Sequence, residues 1–117
     1  MKNFPRPVKN DGSFPVKLYT TSEWFAKLNE ELDEAKYNAA VADEIKCSFL
    51  AEAEEYRANL AEELADLMTC CVSWLDVLGY DEEKRSKLFA EVNEKNEQRG
   101  YFDEYPRYFS HEGDDDK

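Results

Sequence analysis

The sequence predicts an all-α fold in which a helical hairpin and a third helix form an oligomeric helical bundle. Apolar residues recur at three- and four-residue steps along the chain, which is the spacing of amphipathic helices. Neither glycine nor proline occurs between Val16 and Leu78. One unbroken helix over that span would be about 85 Å long, which is too long for a compact chain of 117 residues. A turn must therefore divide it into two helices.

Composition divides the chain, which we expect to be a single domain over residues 1–117, into three parts. Residues 1–19 hold three of the four prolines and are predicted to form an extended arm. Residues 20–100 form the helical core, and residues 101–117 form a tail rich in aromatic residues. Because 36% of this short chain is charged, we expect self-association to complete the core, as a homodimer or homotetramer.

The first helix is predicted to begin near Thr20. Thr20 and Glu23 have the spacing of a capping box, although Thr21 or Ser22 would also serve as the cap. The apolar stripe of this helix consists of Trp24, Leu28, Leu32, Ala35, Ala39 and Ala42. No glycine or proline marks the end of this helix, so its last residue is not predicted from composition.

The second helix carries the strongest apolar stripe of the chain. Its residues are Leu60, Leu64, Leu67, Cys71, Leu75 and Leu78. We favour helix through most of Ile45–Leu78, because earlier apolar residues continue the stripe in phase. A later start at Asn59, with Glu62 three residues on, is the rival interpretation. Gly79 is predicted to end the helix.

Two acidic pairs border these stripes at helical spacing. Glu31 and Glu34 lie on the first helix, and Glu63 and Asp66 lie on the second, so each pair places two carboxylates on one side. A turn between residues 48 and 49 would bring the pairs level on facing helices, each about 24 Å from the turn. Such a group of carboxylates is typical of a site for a hard cation. Acidic pairs at this spacing also occur beside weaker stripes or on faces expected to be solvated, so spacing alone does not identify a metal site. These pairs are Glu52/Glu55, Glu91/Glu94 and Glu94/Glu97.

The other residue types narrow the choice of metal. A di-iron carboxylate bundle needs Glu-x-x-His pairs, and the only histidine is His111 in the tail. Zinc would require cysteine or histidine at ligand spacing, which the sequence lacks. Magnesium is therefore predicted, with manganese as the alternative. A serine or cysteine nucleophile is not supported, because no helix carries a histidine to act as its base.

The third helix is predicted to be capped by Asp81 and to run to Arg99 and Gly100. Four polar residues lie near its end: Asn93, Lys95, Asn96 and Arg99. The two cations favour a helix C-terminus through the helix dipole alone. The alternative interpretation is that these side chains bind the phosphates and the base of a substrate.

Charge and cysteine usage restrict the partners. A net charge of -12 argues against DNA or RNA held by Lys and Arg, but it allows a single nucleotide whose phosphates are neutralised by metal ions. No apolar run is long enough to span a membrane, and no signal peptide is recognisable. Cys47, Cys70 and Cys71 do not form a disulfide pattern, and Cys71 is predicted to be a core residue. We expect a soluble, cytoplasmic protein with no membrane partner.

The acidic residues also form an ordered motif with a closing segment near the end of the third helix. The segments are Glu30-Glu31-Leu32-Asp33-Glu34, Glu63-Leu64-Ala65-Asp66 and Lys95-Asn96-Glu97-Gln98-Arg99-Gly100-Tyr101-Phe102. From about Glu23 to Phe102 the chain resembles the MazG-like all-α nucleoside triphosphate pyrophosphohydrolases. That superfamily also includes dimeric dUTPases and phosphoribosyl-ATP pyrophosphohydrolase. The stretch between the two acidic segments is longer than is usual for it.

The resemblance implies a helical, usually dimeric core with magnesium bound by Glu31, Glu34, Glu63 and Asp66. It implies hydrolysis of a nucleoside triphosphate between its α- and β-phosphates, which releases a nucleoside monophosphate and pyrophosphate. Glu30 matches the first acid of the motif and is expected to orient or deprotonate the attacking water. The alternative is a non-catalytic oligomerisation or regulatory module of the same fold. The acids present at all five motif positions argue against that alternative.

Overall fold

The computed structural model describes residues 3–45 and 50–105. Three α-helices account for most of these residues. They are α1 (Thr21–Ile45), α2 (Leu50–Val77) and α3 (Glu82–Gln98), and a 3-10 helix, Val16–Leu18, precedes them. The described residues contain no β-strand, so the all-α prediction is confirmed. The chain divides into two compact units, residues 1–79 and residues 80–117, and each is described by itself. The single-domain organisation stays a prediction.

The start of α1 is set by the predicted capping box. The Thr20 backbone N–H donates to Glu23 Oε1 at 2.8 Å, and the Glu23 N–H donates to Thr20 Oγ1 at 3.2 Å. These reciprocal bonds satisfy donors that have no partner in the first turn of a helix. The helix begins one residue later, at Thr21.

The bounds of α2 decide between the two predicted starts. The helix runs over Leu50–Val77, so the favoured long helix is confirmed and a start at Asn59 is wrong. The predicted turn at residues 48 and 49 lies outside the described residues. At the other end, Gly79 has a φ of 99°, and its N–H donates to the Asp76 carbonyl at 3.0 Å. Only glycine adopts such a φ without strain, which is why the helix ends there.

The face that α2 turns towards α1 is not the predicted leucine stripe. Cys70 and Ser73 are buried, whereas Leu64 and Leu78 of the stripe are 47% and 62% exposed. The prediction of Cys71 as a core residue is wrong, because Cys71 is exposed. One residue corresponds to about 100° around a helix, so the buried face is rotated by roughly that angle from the stripe. On α1 the prediction is closer, since Trp24, Ala35 and Ala42 are buried and Leu32 is 39% exposed.

Aromatic side chains join the hairpin to the segment before it. The Trp24 ring stacks on Trp74 with 5.6 Å between centroids, and Tyr19 meets Trp24 edge-on at 4.9 Å. Val16 is buried in the same cluster, with Trp24 and Cys70. Contacts of this kind add to the apolar area removed from water. They hold the residues before α1 against both helices.

Residues 3–19, which we call the arm, are also tied to α2 by polar contacts. The Val8 N–H donates to Ser73 Oγ at 2.8 Å, and Lys9 Nζ lies 2.8 Å from Asp76 Oδ2. Ser73 Oγ in turn donates to the Thr69 carbonyl at 2.7 Å. Because Ser73 is buried, its hydroxyl supplies the acceptor that the arm backbone needs.

The second unit contains α3 and the residues after it. Asp81 caps the helix as predicted, accepting a hydrogen bond from the Lys84 N–H at 3.0 Å. At the other end Gly100 has a φ of 78°, and the N–H groups of Gly100 and Tyr101 donate to the carbonyls of Glu97 and Asn96. This backbone pattern is a Schellman motif.

The described part of the aromatic tail is exposed. Tyr101, Phe102 and Tyr105 are 66%, 56% and 73% exposed, while Tyr108 and Phe109 lie outside the described residues. The aromatic tail over residues 101–117 therefore stays a prediction. None of the described helices has both the length and the apolar character needed to cross a bilayer.

Candidate metal centre

Acids from the two helices of the hairpin converge on one point. Ligand oxygens of Glu31 on α1 and of Glu63 and Asp66 on α2 all lie within 4.8 Å of one another. Glu31 and Glu63 are half-buried, and Asp66 is exposed. Both predicted pairs therefore contribute to one group of carboxylates, which we call the acidic cluster. The structure places them level across the hairpin, as the sequence predicted.

Glu34, the fourth predicted ligand, is exposed and is not one of the three converging acids, but it lies close enough to Glu63 to affect its pKa. The pKa of Glu63 is raised, first by a hydrogen bond with the Glu34 side chain, then by burial and by the charges of Glu34, Asp66 and Glu31. Two carboxylates can share a hydrogen bond only if one of them holds the proton. The neighbouring carboxylates thus disfavour the ionised form of Glu63.

Two oxygens of the cluster are buried without a hydrogen-bond donor among the described residues. They are Oε1 of Glu31 and Oε1 of Glu63. Buried carboxylate oxygens are ordinarily paired with donors or with a metal ion. Oxygens that share one magnesium ion at about 2.1 Å are at most about 4.2 Å apart, so small side-chain rotations would close the cluster around a cation. The donor set consists only of hard oxygens, which fits magnesium or manganese.

Lys27 forms ion pairs at the edge of the cluster. Its Nζ lies 3.5 Å from Glu31 Oε2 and 3.8 Å from Glu30 Oε1. Burial disfavours the charged form of Lys27, but the charges of Glu30 and Glu31 and a hydrogen bond to Glu31 outweigh it, and the pKa of Lys27 is raised. Lys27 thus occupies one oxygen of Glu31 and leaves the other free for the cluster.

The remaining predicted site residues are Glu30 on α1 and four residues of the second unit. Glu30 is exposed and faces Lys27, and it is not one of the three acids that converge. The four predicted substrate-binding residues are on or next to α3, in the second unit: Asn93, Lys95, Asn96 and Arg99. The carbonyls at that helix end are bonded by backbone N–H groups, and the Arg99 guanidinium lies over the Tyr101 ring at 5.6 Å. The roles of Glu30 and of these four residues stay predictions.

A pocket of about 330 Å³ opens beside the acidic cluster, between the arm and the two helices. Its wall consists of Val8, Asp11, Val16, Tyr19, Trp24, Lys27, Glu31, Asp66, Thr69, Cys70 and Ser73. Glu31 and Asp66 belong to both the pocket and the cluster, so a ligand in the pocket would adjoin a bound cation. This volume is at the lower end of the range for small-molecule sites.

The chemistry of the pocket wall excludes a cysteine nucleophile. Burial raises the pKa of the Cys70 thiol to about 11, with smaller contributions from neighbouring groups. The thiolate is the reactive form, so Cys70 stays a protonated, inert wall residue at neutral pH. Asp11 has the opposite tendency, because hydrogen bonds from the Ser13 and Phe14 backbone and from Tyr19 lower its pKa. It is therefore a carboxylate at neutral pH.

Sequence analysis missed Lys27 and the contribution of the arm. Lys27 stands four residues before Glu31, and the rule for ion pairs on a helix would have found it. No sequence spacing of this kind indicates that Asp11 and Ser73 would line the pocket. Their positions depend on how the arm returns over α2, which is a contact between residues far apart in the sequence.

Comparison with known proteins finds no significant similarity. No family model matches the chain, and no curated protein and no solved structure matches it at a significant level. The residues of the acidic cluster and of the pocket therefore have to carry the functional argument.

Proposed function

We propose that this protein is a magnesium-dependent nucleotide pyrophosphohydrolase, which cleaves a nucleoside triphosphate between its α- and β-phosphates. The observation that carries the proposal is the convergence of Glu31, Glu63 and Asp66 beside a pocket, with two buried oxygens that lack donors. The motif resemblance supplies the reaction type. Manganese is the alternative cation.

In this proposal the carboxylates of Glu31, Glu34, Glu63 and Asp66 hold the cation. Bound magnesium supplies positive charge for the phosphates and lowers the pKa of a water molecule. The carboxylates repel one another in the folded chain, and a bound divalent cation would reduce that repulsion. Lys27 adds a fixed positive charge at its edge. Glu30 accepts the proton of the attacking water or orients it.

The pocket lies beside the acidic cluster and Lys27, so metal ions and Lys27 would offset the negative charge of a substrate bound there. Phosphates would lie at the cluster, where cations and Lys27 offset the charge of the protein. The other end of the substrate would enter the space between the arm and the hairpin. An oligomerisation or regulatory module without turnover is the competing proposal. It would not need Glu63 to be half-buried with an oxygen lacking a donor, because such burial destabilises the fold.

The deciding experiment measures pyrophosphate and phosphate release from a panel of ribo- and deoxyribonucleoside triphosphates, with magnesium and with EDTA. We expect magnesium-dependent pyrophosphate release for at least one nucleotide. Glu63→Gln or Asp66→Asn should lower turnover at least about a hundredfold, because charge stabilisation at the reacting phosphate is lost. Glu62→Gln, an exposed neighbour on the same helix, should leave turnover unchanged. No release from any nucleotide would contradict the proposal and favour the non-catalytic module.

The proposal includes self-association through an exposed apolar surface of α2 that contains Leu64 and Met68. Leu64 and Met68 lie one turn apart and are each about half exposed, an arrangement that favours packing against a second helical surface. We propose that a second copy of this chain covers it, as a homodimer or as half of a homotetramer. Light scattering after size exclusion should give a mass well above 13.7 kDa. The double variant Leu64→Glu, Met68→Glu should reduce it to the monomer mass while its helical circular dichroism is retained. A wild-type monomer at micromolar concentration would contradict this part.

A further inference from the structure

One of the residues that line the pocket beside the acidic cluster carries a buried donor that has no acceptor among the described residues. Trp24 is 2% exposed and lines the pocket. Its indole Nε1 is buried and has no acceptor among the described residues. A buried N–H without an acceptor costs free energy, because it has lost water and gained no partner. A ligand that brings an acceptor to this atom would recover that loss.

The two hydroxyl groups that α2 contributes to the pocket wall are already hydrogen-bonded. Ser73 Oγ accepts from the Val8 N–H and donates to the Thr69 carbonyl. Thr69 Oγ1 donates to the Ala65 carbonyl at 3.1 Å. Lys27 Nζ, the charged donor of the wall, is paired with Glu30 and Glu31. Trp24 Nε1 differs from these groups, because it is buried without an acceptor among the described residues.

Trp24 and Glu31 are the wall residues of α1 that carry unpaired buried atoms. Trp24 Nε1 is a donor, and Glu31 Oε1 is an acceptor that we assign to the cation. They stand seven residues apart on α1, which is two turns or about 10 Å along the axis. A phosphate or pyrophosphate held at the acidic cluster would be too short to reach Trp24. A nucleotide can span both, because its sugar separates the phosphates from the base.

We propose that the pocket receives the base of the nucleotide, and that the Trp24 indole N–H donates a hydrogen bond to a carbonyl oxygen or ring nitrogen of that base. This inference rests on the proposed function for the position of the phosphates. It adds which end of the substrate the pocket takes and which group recognises it. Val8 and Val16 supply apolar wall surface from the arm, which suits the flat face of a base. Ser73 is a positioning residue, since it holds the arm through Val8.

The test uses the ¹⁵N-labelled full-length protein and follows the indole N–H signals of its two tryptophans. Trp24→Phe assigns the signal of Trp24, and Trp74 serves as the internal reference because it does not line the pocket. Uridine, thymidine, cytidine, adenosine and guanosine are titrated separately without magnesium, alongside ribose 5-phosphate. We expect at least one nucleoside to move the Trp24 indole proton downfield to saturation. Ribose 5-phosphate, which has no base, should leave it in place.

The affinity for that nucleoside should fall about five- to tenfold in Trp24→Phe, which keeps an aromatic ring but lacks the donor. Trp74→Phe, on the ring stacked against it, should bind the nucleoside as the wild type does. The inference is overturned if no nucleoside moves the Trp24 signal, if ribose 5-phosphate moves it equally, or if Trp24→Phe binds with unchanged affinity. The wild-type titration decides even if the variant does not fold. Pyrophosphate release with an unmoved Trp24 signal would overturn this inference alone, and a moved signal without pyrophosphate release would overturn the proposed function alone.

Discussion

Helices α2 and α3 both carry acids three residues apart, yet among the described residues only those of α2 belong to a group of three acids that could hold a metal ion. Glu63 is half-buried and lies against carboxylates of α1. Glu91 and Glu94 on α3 have the same spacing and are exposed. Spacing puts two carboxylates on one side of a helix, but water screens them there. A cation site needs a second acidic helix opposite, which removes part of that water and adds ligands.

The largest expected difference between these regions is their response to magnesium. A cation that binds only the folded state stabilises it by about 2.7 kcal/mol at a hundredfold excess over its Kd, which would raise the melting temperature by about 10 °C for a chain of this size. Glu63→Gln and Asp66→Asn remove a ligand together with part of the repulsion. Both should melt as high as the metal-free wild type or higher, and both should gain much less from magnesium. Thermal melts in magnesium chloride and in sodium chloride of equal ionic strength measure this.

Glu62→Gln on α2 and Glu94→Gln on α3 are the matched controls for these melts, because both side chains are exposed. Each should respond to magnesium as the wild type does. An equal response from cluster variants and controls would mean that the acids of the hairpin are no different from those of α3. The metal proposal would then lose its physical basis.

Most of the secondary structure could be predicted because its determinants are local. Thr20 with Glu23, Asp81, and the two glycines at 79 and 100 each act within a few residues, so the sequence shows them directly. The level placement of the acidic pairs was also predictable, because a hairpin pairs residues that lie equally far from its turn. These features depend on spacing alone.

The buried face of α2 and the pocket could not be predicted in the same way. The leucine stripe is the more apolar face, yet Cys70 and Ser73 are buried against α1 and the arm, and Leu64 is half exposed. Helical periodicity identifies an apolar face but does not say whether that face packs against another part of the same chain. The hydrogen bond from Val8 to Ser73 joins residues 65 positions apart. Such a contact has no local signature.

A smaller effect should appear in the pH dependence of the metal-free protein. The folded pKa of Glu63 is raised above the ordinary glutamate value of about 4.3, so the folded state binds the proton more tightly than the unfolded state. Its contribution to stability is fully present below the unfolded pKa and is lost as pH rises through the folded pKa. Stability should therefore fall as pH rises above about 4.3. Denaturant melts across that range should show the decline in the wild type and a flatter curve in Glu63→Gln.

Two controls separate this effect from other titrations. Glu62→Gln should keep the wild-type decline, and saturating magnesium should remove it, because the bound cation favours the ionised acids. Asp11 acts in a different window, since its lowered pKa makes its contribution fall away only as pH drops below the ordinary aspartate value of about 3.9. An unchanged decline in Glu63→Gln would assign it to a group outside the acidic cluster.

The smallest expected effect concerns Lys27, which has no counterpart among the described contacts of Glu91 and Glu94. Its Nζ lies 3.5 Å from Glu31 Oε2, and a partly exposed pair at this helical spacing contributes about 0.3–0.5 kcal/mol. Lys27→Met keeps the length of the side chain and removes the charge, so the metal-free protein should lose about that much stability. The magnesium-induced rise in melting temperature should become larger, because magnesium then binds at Glu31 without repulsion from the neighbouring Lys27 ammonium group. Lys36→Met, at an exposed position of the same helix, should change neither quantity. A magnesium response that stays the same or shrinks in Lys27→Met would show that the charge of Lys27 does not weaken magnesium binding at Glu31.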